Sequence, residues 1–371
     1  MTDDDVVALE HQIAAFGLPG TRSTIADRTP DDVWPRLLAL LTTQRLTGLA
    51  VAAMNAGAVT LSQRQAGELL ERQRASMVHA LSIERFLLSL ADIFDREGID
   101  MIVLKGPALA NAVYSSPSWR PFGDVDVLVP TPDWRRVGEV LHRNGLEPKF
   151  PEPRPRFRER FGHTWVHTDR MGHELDLHRI LVAGPFGLWM DPQDPFERTD
   201  IFWLGGKPLR RLDDVAAFLH ACMHAALGHR PPLLLPLRDV AELAWSRVSD
   251  WSQVRELASR WRTTTVVEYA LNALTATLSL DLPVDARLAI RSTEVSRRER
   301  IALRAYTTSW QARGGKATVS LLAIRGVGAK AAYVRALLVP DRDFLAFREG
   351  GVGSASLRVR WRKALGWLRR R

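Results

Sequence analysis

With 371 residues, 46% of them apolar and 25% charged, the chain exceeds one ordinary compact domain and has a globular composition, suited to two or three units. Its single cysteine, Cys222, excludes an intramolecular disulfide and a zinc site built on several thiolates, and no uncharged apolar run approaches a bilayer span. The formal charge of +9 says little about a nucleic-acid substrate, because Arg358, Arg360, Arg362, Lys363, Arg369, Arg370 and Arg371 supply seven of those charges from a final stretch, 358–371, that holds no acid, leaving about +2 for the body.

The opening residues MTDDDVVALE are acidic where a secretory signal is basic and then apolar, so a cytoplasmic location is expected. From about Asp31 to Gly98 the pattern is helical, most clearly in IERFLLSLADIFDREG, where Ile83, Phe86, Leu87, Leu90, Ala91 and Phe94 share a face and Gly98 is the stop. The texture then changes between Ile99 and about Leu204. IDMIVL predicts a short strand, GPALANAVY a short helix opened by Gly106-Pro107, and DVDVLV a second strand. TPDWRRVGEVLHRNG predicts a helix with Thr131 as N-cap, Pro132 in the first turn and Gly145 at its end. The Pro- and Arg-rich PEPRPRFRERFG reads as a loop or lid, and HTWVHTD and HELDLHRI, separated by RMG, as a hairpin. From about Leu212 the helical pattern returns in DDVAAFLHACMHAALGH and LRDVAELAW. The expected organisation is a helical region over 1–98, an α/β unit over 99–205, a helical domain over 206–345 and a basic tail over 346–371.

Successive side chains of a strand alternate between faces, so Asp124 and Asp126 point one way while Val125, Val127 and Val129 point into the core. Glu174, Asp176 and His178 repeat the device against Leu175 and Leu177. Carboxylates crowded together repel and tend to take up a proton, unless a hard divalent cation such as Mg²⁺ neutralises them. For an arbitrary D-x-D the wet face of an edge strand is the commoner outcome. Here the pair follows Gly123 and a strand with its glycine turn, and precedes a second acidic strand, which favours a metal-assisted phosphoryl-transfer site.

The stretch VLKGPALANAVYSSPSWRPFGDVDVLVPTPDWRRVGEVLHRNG, followed by HELDLH, resembles the nucleotidyltransferases of the DNA polymerase β superfamily, and most closely the branch described as uncharacterised nucleotidyltransferases. The likeness runs over roughly residues 80 to 250, through FLHACMHAALGH and LRDVAEL. It implies an α+β fold: a small polymerase-β-like core with a mixed sheet, flanked by N-terminal and C-terminal helical regions. It also implies Asp124 and Asp126 as ligands of two Mg²⁺ ions, Asp176 as the third carboxylate that holds the catalytic ion, and ATP or another NTP as donor. Glu174 is the alternative to Asp176. Gly106 would bring backbone amides to the triphosphate, yet Pro107 replaces the usual second small residue and has no N–H to offer. Lys105 and Arg120 are the candidate side-chain phosphate ligands, with Arg120 alternatively orienting Asp124 or Asp126; His178 is a candidate to hold Asp176.

His220 and His224 lie four apart on one helical face, with His229 just beyond, but HACMH lacks the glutamate of a zinc protease, and helix packing or an acceptor-facing role competes with zinc. The tail SLRVRWRKALGWLRRR reads as a solvated end rather than a membrane or RNA arm. No G-x-S-x-G, P-loop or strand-following G-x-G-x-x-G is present. The expected function is therefore nucleoside monophosphate transfer to a small molecule, a protein or an RNA end. A nucleotide-sensing or partner-binding protein that keeps the fold without transfer is the alternative.

Overall fold

The computed structural model describes residues 2–21, 25–26, 29–229, 232–291, 295–308, 319–321 and 323–349; the basic tail beyond 349 lies outside the described residues. Helices α1 (Asp3–Ala15), α2 (Trp34–Thr43) and α3 (Thr47–Asn55) lead into the long α4 (Gln63–Glu97). The ends of α4 are explicit in the sequence. Ser62 accepts from the Gln65 N–H while the Gln65 side chain accepts from the Ser62 N–H, and Gly98 closes the helix in the left-handed region at φ 61°.

There follow β1 (Ile102–Val103), α5 (Pro107–Ala112), β2 (Val125–Leu128), α6 (Trp134–Arg143), β3 (Glu147–Pro148), α7 (Phe157–Phe161), β4 (Thr164–Thr168), β5 (Glu174–His178), α8 (Pro185–Trp189), α9 (Asp194–Glu197), β6 (Thr199–Leu204) and β7 (Lys207–Leu212). Helices α10 (Asp214–Gly228), α11 (Leu234–Ser246), α12 (Trp251–Arg260) and α13 (Thr264–Leu278) come next. Among the described residues the strands form one mixed sheet in the order β3-β4-β5-β2-β1-β7-β6, so the chain is α+β as the family resemblance implies. β2 runs parallel to β5 and antiparallel to β1, and β1 runs parallel to β7.

Val125, Val127, Leu175 and Leu177 pack with Ile83, Phe86 and Leu90 of α4 and Val137 and Leu141 of α6. Ile102, Leu104 and Leu128 belong to a second core, shared with α1 to α3 and α10 to α13. The polar residues that alternate along β2 and β5 therefore have their backs to α4 and α6. No described helix is long and apolar enough to cross a membrane.

Three local features depart from the sequence reading. Thr131 opens a 3₁₀ turn, Thr131–Asp133, and α6 begins only at Trp134, so the Thr131 hydroxyl caps nothing and is buried without a partner. The Pro- and Arg-rich stretch contains α7, whose Phe157 and Phe161 both pack on Tyr333. Finally, β6 and β7 extend the sheet at an edge where Ile201 and Trp203 are exposed, which blurs the alternation that marks a half-buried strand.

Two glycines test how the N-terminal helices sit on the sheet unit. A β-carbon on Gly48 of α3 would lie 2.0 Å from the Ser118 carbonyl oxygen, whereas one on Gly67 of α4 meets nothing within 4 Å. Gly48→Ala should therefore cost about 1–3 kcal/mol, and Gly67→Ala should gain about 0.5–1 kcal/mol, both read by urea unfolding. Equal effects would contradict the contact between α3 and residues 117–119.

Candidate active site

The register of the parallel pair places Asp126 opposite Asp176 and Leu128 opposite His178, so three polar side chains of two neighbouring strands share one face. Asp126 is 1% exposed; its Oδ1 lies 2.8 Å from Lys105 Nζ and 3.0 Å from His178 Nε2. Its Oδ2 is buried with no hydrogen-bond partner, and so is His178 Nδ1. Asp126, Asp176 and His178 each present a ligand atom, all within 4.8 Å of one another, the one such group of His, Cys, Asp or Glu among the described residues.

The electrostatics divide the acids. Burial works to raise Asp126, but the Lys105 ammonium and the His178 ring outweigh it and hold this carboxyl well below the usual carboxylate range. Asp176 is pushed up to about 6, by burial and then by the charge of Asp126. Asp124, just ahead of β2 and half-buried, is raised by burial and by Asp126, against the pull of Lys105, Arg45 and Arg120. For Lys105, burial disfavours the charge, yet Asp126, Asp124 and Asp176 together raise its pKa.

The candidate residues thus fall into distinct places. Asp126, Asp176 and His178 converge; Asp124 stands beside them, outside the converging group. Glu174, at the exposed start of β5, pairs with Lys149 instead. His178 bonds Asp126, the acid of the neighbouring strand and diagonal to it in the register, rather than Asp176 on its own strand. Gly106 takes φ 54° and ψ −116°, a conformation that favours glycine, and Pro107 starts α5 directly after it.

Arg120 pairs with neither Asp124 nor Asp126. Its Nε and Nη2 donate to Asp239 Oδ1 and Oδ2, each at 2.7 Å, and its Nη1 donates to the Gly106 carbonyl at 3.3 Å. Tyr114 also donates to Asp239 Oδ1 at 2.7 Å. Asp239 on α11 is the residue that the pattern of the sequence did not single out. The one signal is an acid in the largely apolar helix LLPLRDVAELAW, where Arg238 and Glu242 pair with each other and leave Asp239 for a partner 119 residues away.

Next to the strand group, burial and then the nearby His178 and Lys105 bring the His220 pKa down to about 3, and the ring hydrogen-bonds the backbone of Leu104. Burial also takes His224 well below its ordinary value. Burial thus favours the neutral ring in both, His224 being only half-buried by its surface, and neither joins a metal-ligating triple among the described residues. His229 is the exposed C-cap of α10. A divalent cation fits the strand group, where an unpartnered Asp126 oxygen, the adjacent Asp176 carboxylate and an unpartnered imidazole nitrogen meet.

The family model described as uncharacterised nucleotidyltransferase matches residues 30–279 of the chain. No curated protein matches it. A solved structure, that of an antigenic nucleotidyltransferase-like protein from Paracoccidioides brasiliensis, is 14% identical, with 58% of this chain and 94% of that chain covered and a TM-score of 0.33.

The raised Asp176 has a sign that can be read without any activity. Its folded pKa of about 6 lies above the ordinary 3.8, so between those values the folded state binds more protons and stability falls as pH rises. In chelator-treated protein, wild type should lose about 1–3 kcal/mol relative to Asp176→Asn on going from pH 4 to pH 7. A difference that stays flat with pH would show that Asp176 ionises normally.

Proposed function

The chain belongs to the family of uncharacterised nucleotidyltransferases, and on that premise we propose that it is a Mg²⁺-dependent enzyme that moves a nucleoside monophosphate from an NTP to an acceptor hydroxyl or phosphate and releases pyrophosphate. The observation that carries this reading is the convergence of Asp126 and Asp176 with an oxygen of Asp126 left unpartnered in a buried site. Asp126 and Asp176 would hold the metal, with Asp124 at its edge. Bound Mg²⁺ supplies neutralisation of the charge on the transferring phosphoryl group and on the leaving pyrophosphate.

The chain's own groups do the rest. Lys105 and His178 keep Asp126 ionised and fix the direction of its carboxylate. Arg120, held by Asp239, braces the Gly106 carbonyl and so the turn between β1 and α5. Lys105 lies beside that turn and is a side chain suited to a phosphate oxygen where Pro107 has no amide to give. The acceptor class stays open between a small molecule, a protein and an RNA end.

A second reading, nucleotide sensing without transfer, is favoured by Lys105 and His178 already sharing one oxygen of Asp126, and by Pro107 in the turn. Purified protein incubated with Mg²⁺, α-labelled NTPs and fractionated acceptors separates the two. Label transfer is expected for wild type and for Glu174→Gln. Asp126→Asn and Asp176→Asn, with native circular dichroism, should each lose on the order of 10²- to 10³-fold. Nucleotide binding without transfer to any acceptor would favour the second reading, and an inactive Glu174→Gln beside an active Asp176→Asn would overturn the assignment of Asp176.

A further inference from the structure

We propose that Arg45, with His79 beside it, grips the triphosphate of the nucleotide donor from the N-terminal helices, a role that rests on the nucleotidyltransferase reading above. The need for such a group comes from counting the donors already committed. Pro107 removes an amide from the turn. The Arg120 guanidinium is taken by Asp239 and the Gly106 carbonyl, and Lys105 is paired with Asp126. Lys105 can offer a phosphate only the donors that Asp126 leaves, so beside three carboxylates a polyanionic ligand gains from a cation that no protein group holds.

Arg45 and His79 meet that requirement at the lip of the site. Gly123, immediately before Asp124, leaves a notch: a β-carbon there would lie 3.5 Å from His79 Nε2 and 3.8 Å from Arg45 Nη2. Both residues are exposed, and among the described residues no hydrogen bond or ion pair holds the Arg45 guanidinium. Its charge nevertheless reaches Asp124. A guanidinium presents a planar fork of N–H donors that matches phosphate oxygens two at a time.

The backbone holds Arg45 in place. It sits at φ 58° as the left-handed residue that closes α2, with the Leu46 N–H donating to the Leu41 carbonyl at 2.7 Å. The Gln44 side chain accepts from the Leu234 N–H at 3.0 Å, Leu46 is fully buried, and the Arg45 N–H donates to the Thr42 carbonyl at 3.1 Å. Glycine is the relaxed choice at such a position, so the arginine side chain is kept at a cost to the fold. His79 projects from α4 one turn before the buried Ile83, which fixes it on the same rim.

The test is calorimetric binding in Mg²⁺ of a non-hydrolysable NTP analogue, inorganic tripolyphosphate and the bare nucleoside, to wild type and to Arg45→Gly, with melting temperatures recorded for both. The expected result is that Arg45→Gly melts at the same or a higher temperature, while its affinity for the analogue and for tripolyphosphate falls together by about 10- to 100-fold and nucleoside binding is unchanged. Wild type and Arg45→Gly binding the analogue equally well would overturn the role of Arg45 and leave the nucleotide reading standing. Wild type that binds neither the analogue nor tripolyphosphate would overturn both.

Discussion

The parallel pairing of β2 with β5 is the constraint on which the site depends. Neighbouring strands lie about 4.8 Å apart, and the register of this pair sets Asp126 directly across from Asp176 with their side chains on one face. Two charges at that spacing repel by about 3–4 kcal/mol at an effective dielectric of about 20. The fold meets this cost asymmetrically. Asp126 is kept ionised by Lys105 and His178 on a single oxygen, while Asp176, without such partners, is pushed towards its protonated form. What remains is one free oxygen on a fixed anion beside a half-buried carboxyl, a donor pair shaped for a hard cation.

A second buried charge pair sets the edge of that site. Arg120 and Asp239 are 4% and 2% exposed, and removing one partner from such a pair strands the other, at a cost of about 3–5 kcal/mol. The pair also has a specific geometry, because the third guanidinium contact reaches the Gly106 carbonyl. Helix α11 thereby fixes the turn between β1 and α5. The helices that surround the sheet frame the candidate site: α11 holds the glycine turn, α10 sets His220 beside the strand group, and the α2–α3 connection brings Arg45 near Gly123.

How much of this was legible in the sequence follows from the range of each interaction. The alternation in DVDVLV and HELDLH identified both strands and the faces of Asp126, Asp176 and His178, because a period of two is local. The stop of α4 at Gly98 was equally local. The choice of Asp176 over Glu174 rested on the order Asp-Leu-His, since both share a face; the pairing of the strands adds that Asp176 lies across from Asp126 while Glu174 pairs with Lys149. The partner of Arg120 lies 119 residues downstream, and the approach of Arg45 to Gly123 depends on how separate helices dock, so no spacing rule contains either. The edge strands β6 and β7 were obscured by exposed apolar residues that mimic a buried face.

Mn²⁺ titration followed by electron paramagnetic resonance tests most directly whether Asp126 and Asp176 form a divalent-cation site, because it needs neither acceptor nor nucleotide. Wild type should bind the ion saturably, and Asp126→Asn should lose at least about tenfold in affinity through the missing charge and ligand. Binding by Asp126→Asn that is indistinguishable from wild type would place any metal elsewhere and contradict the account of the strand pair.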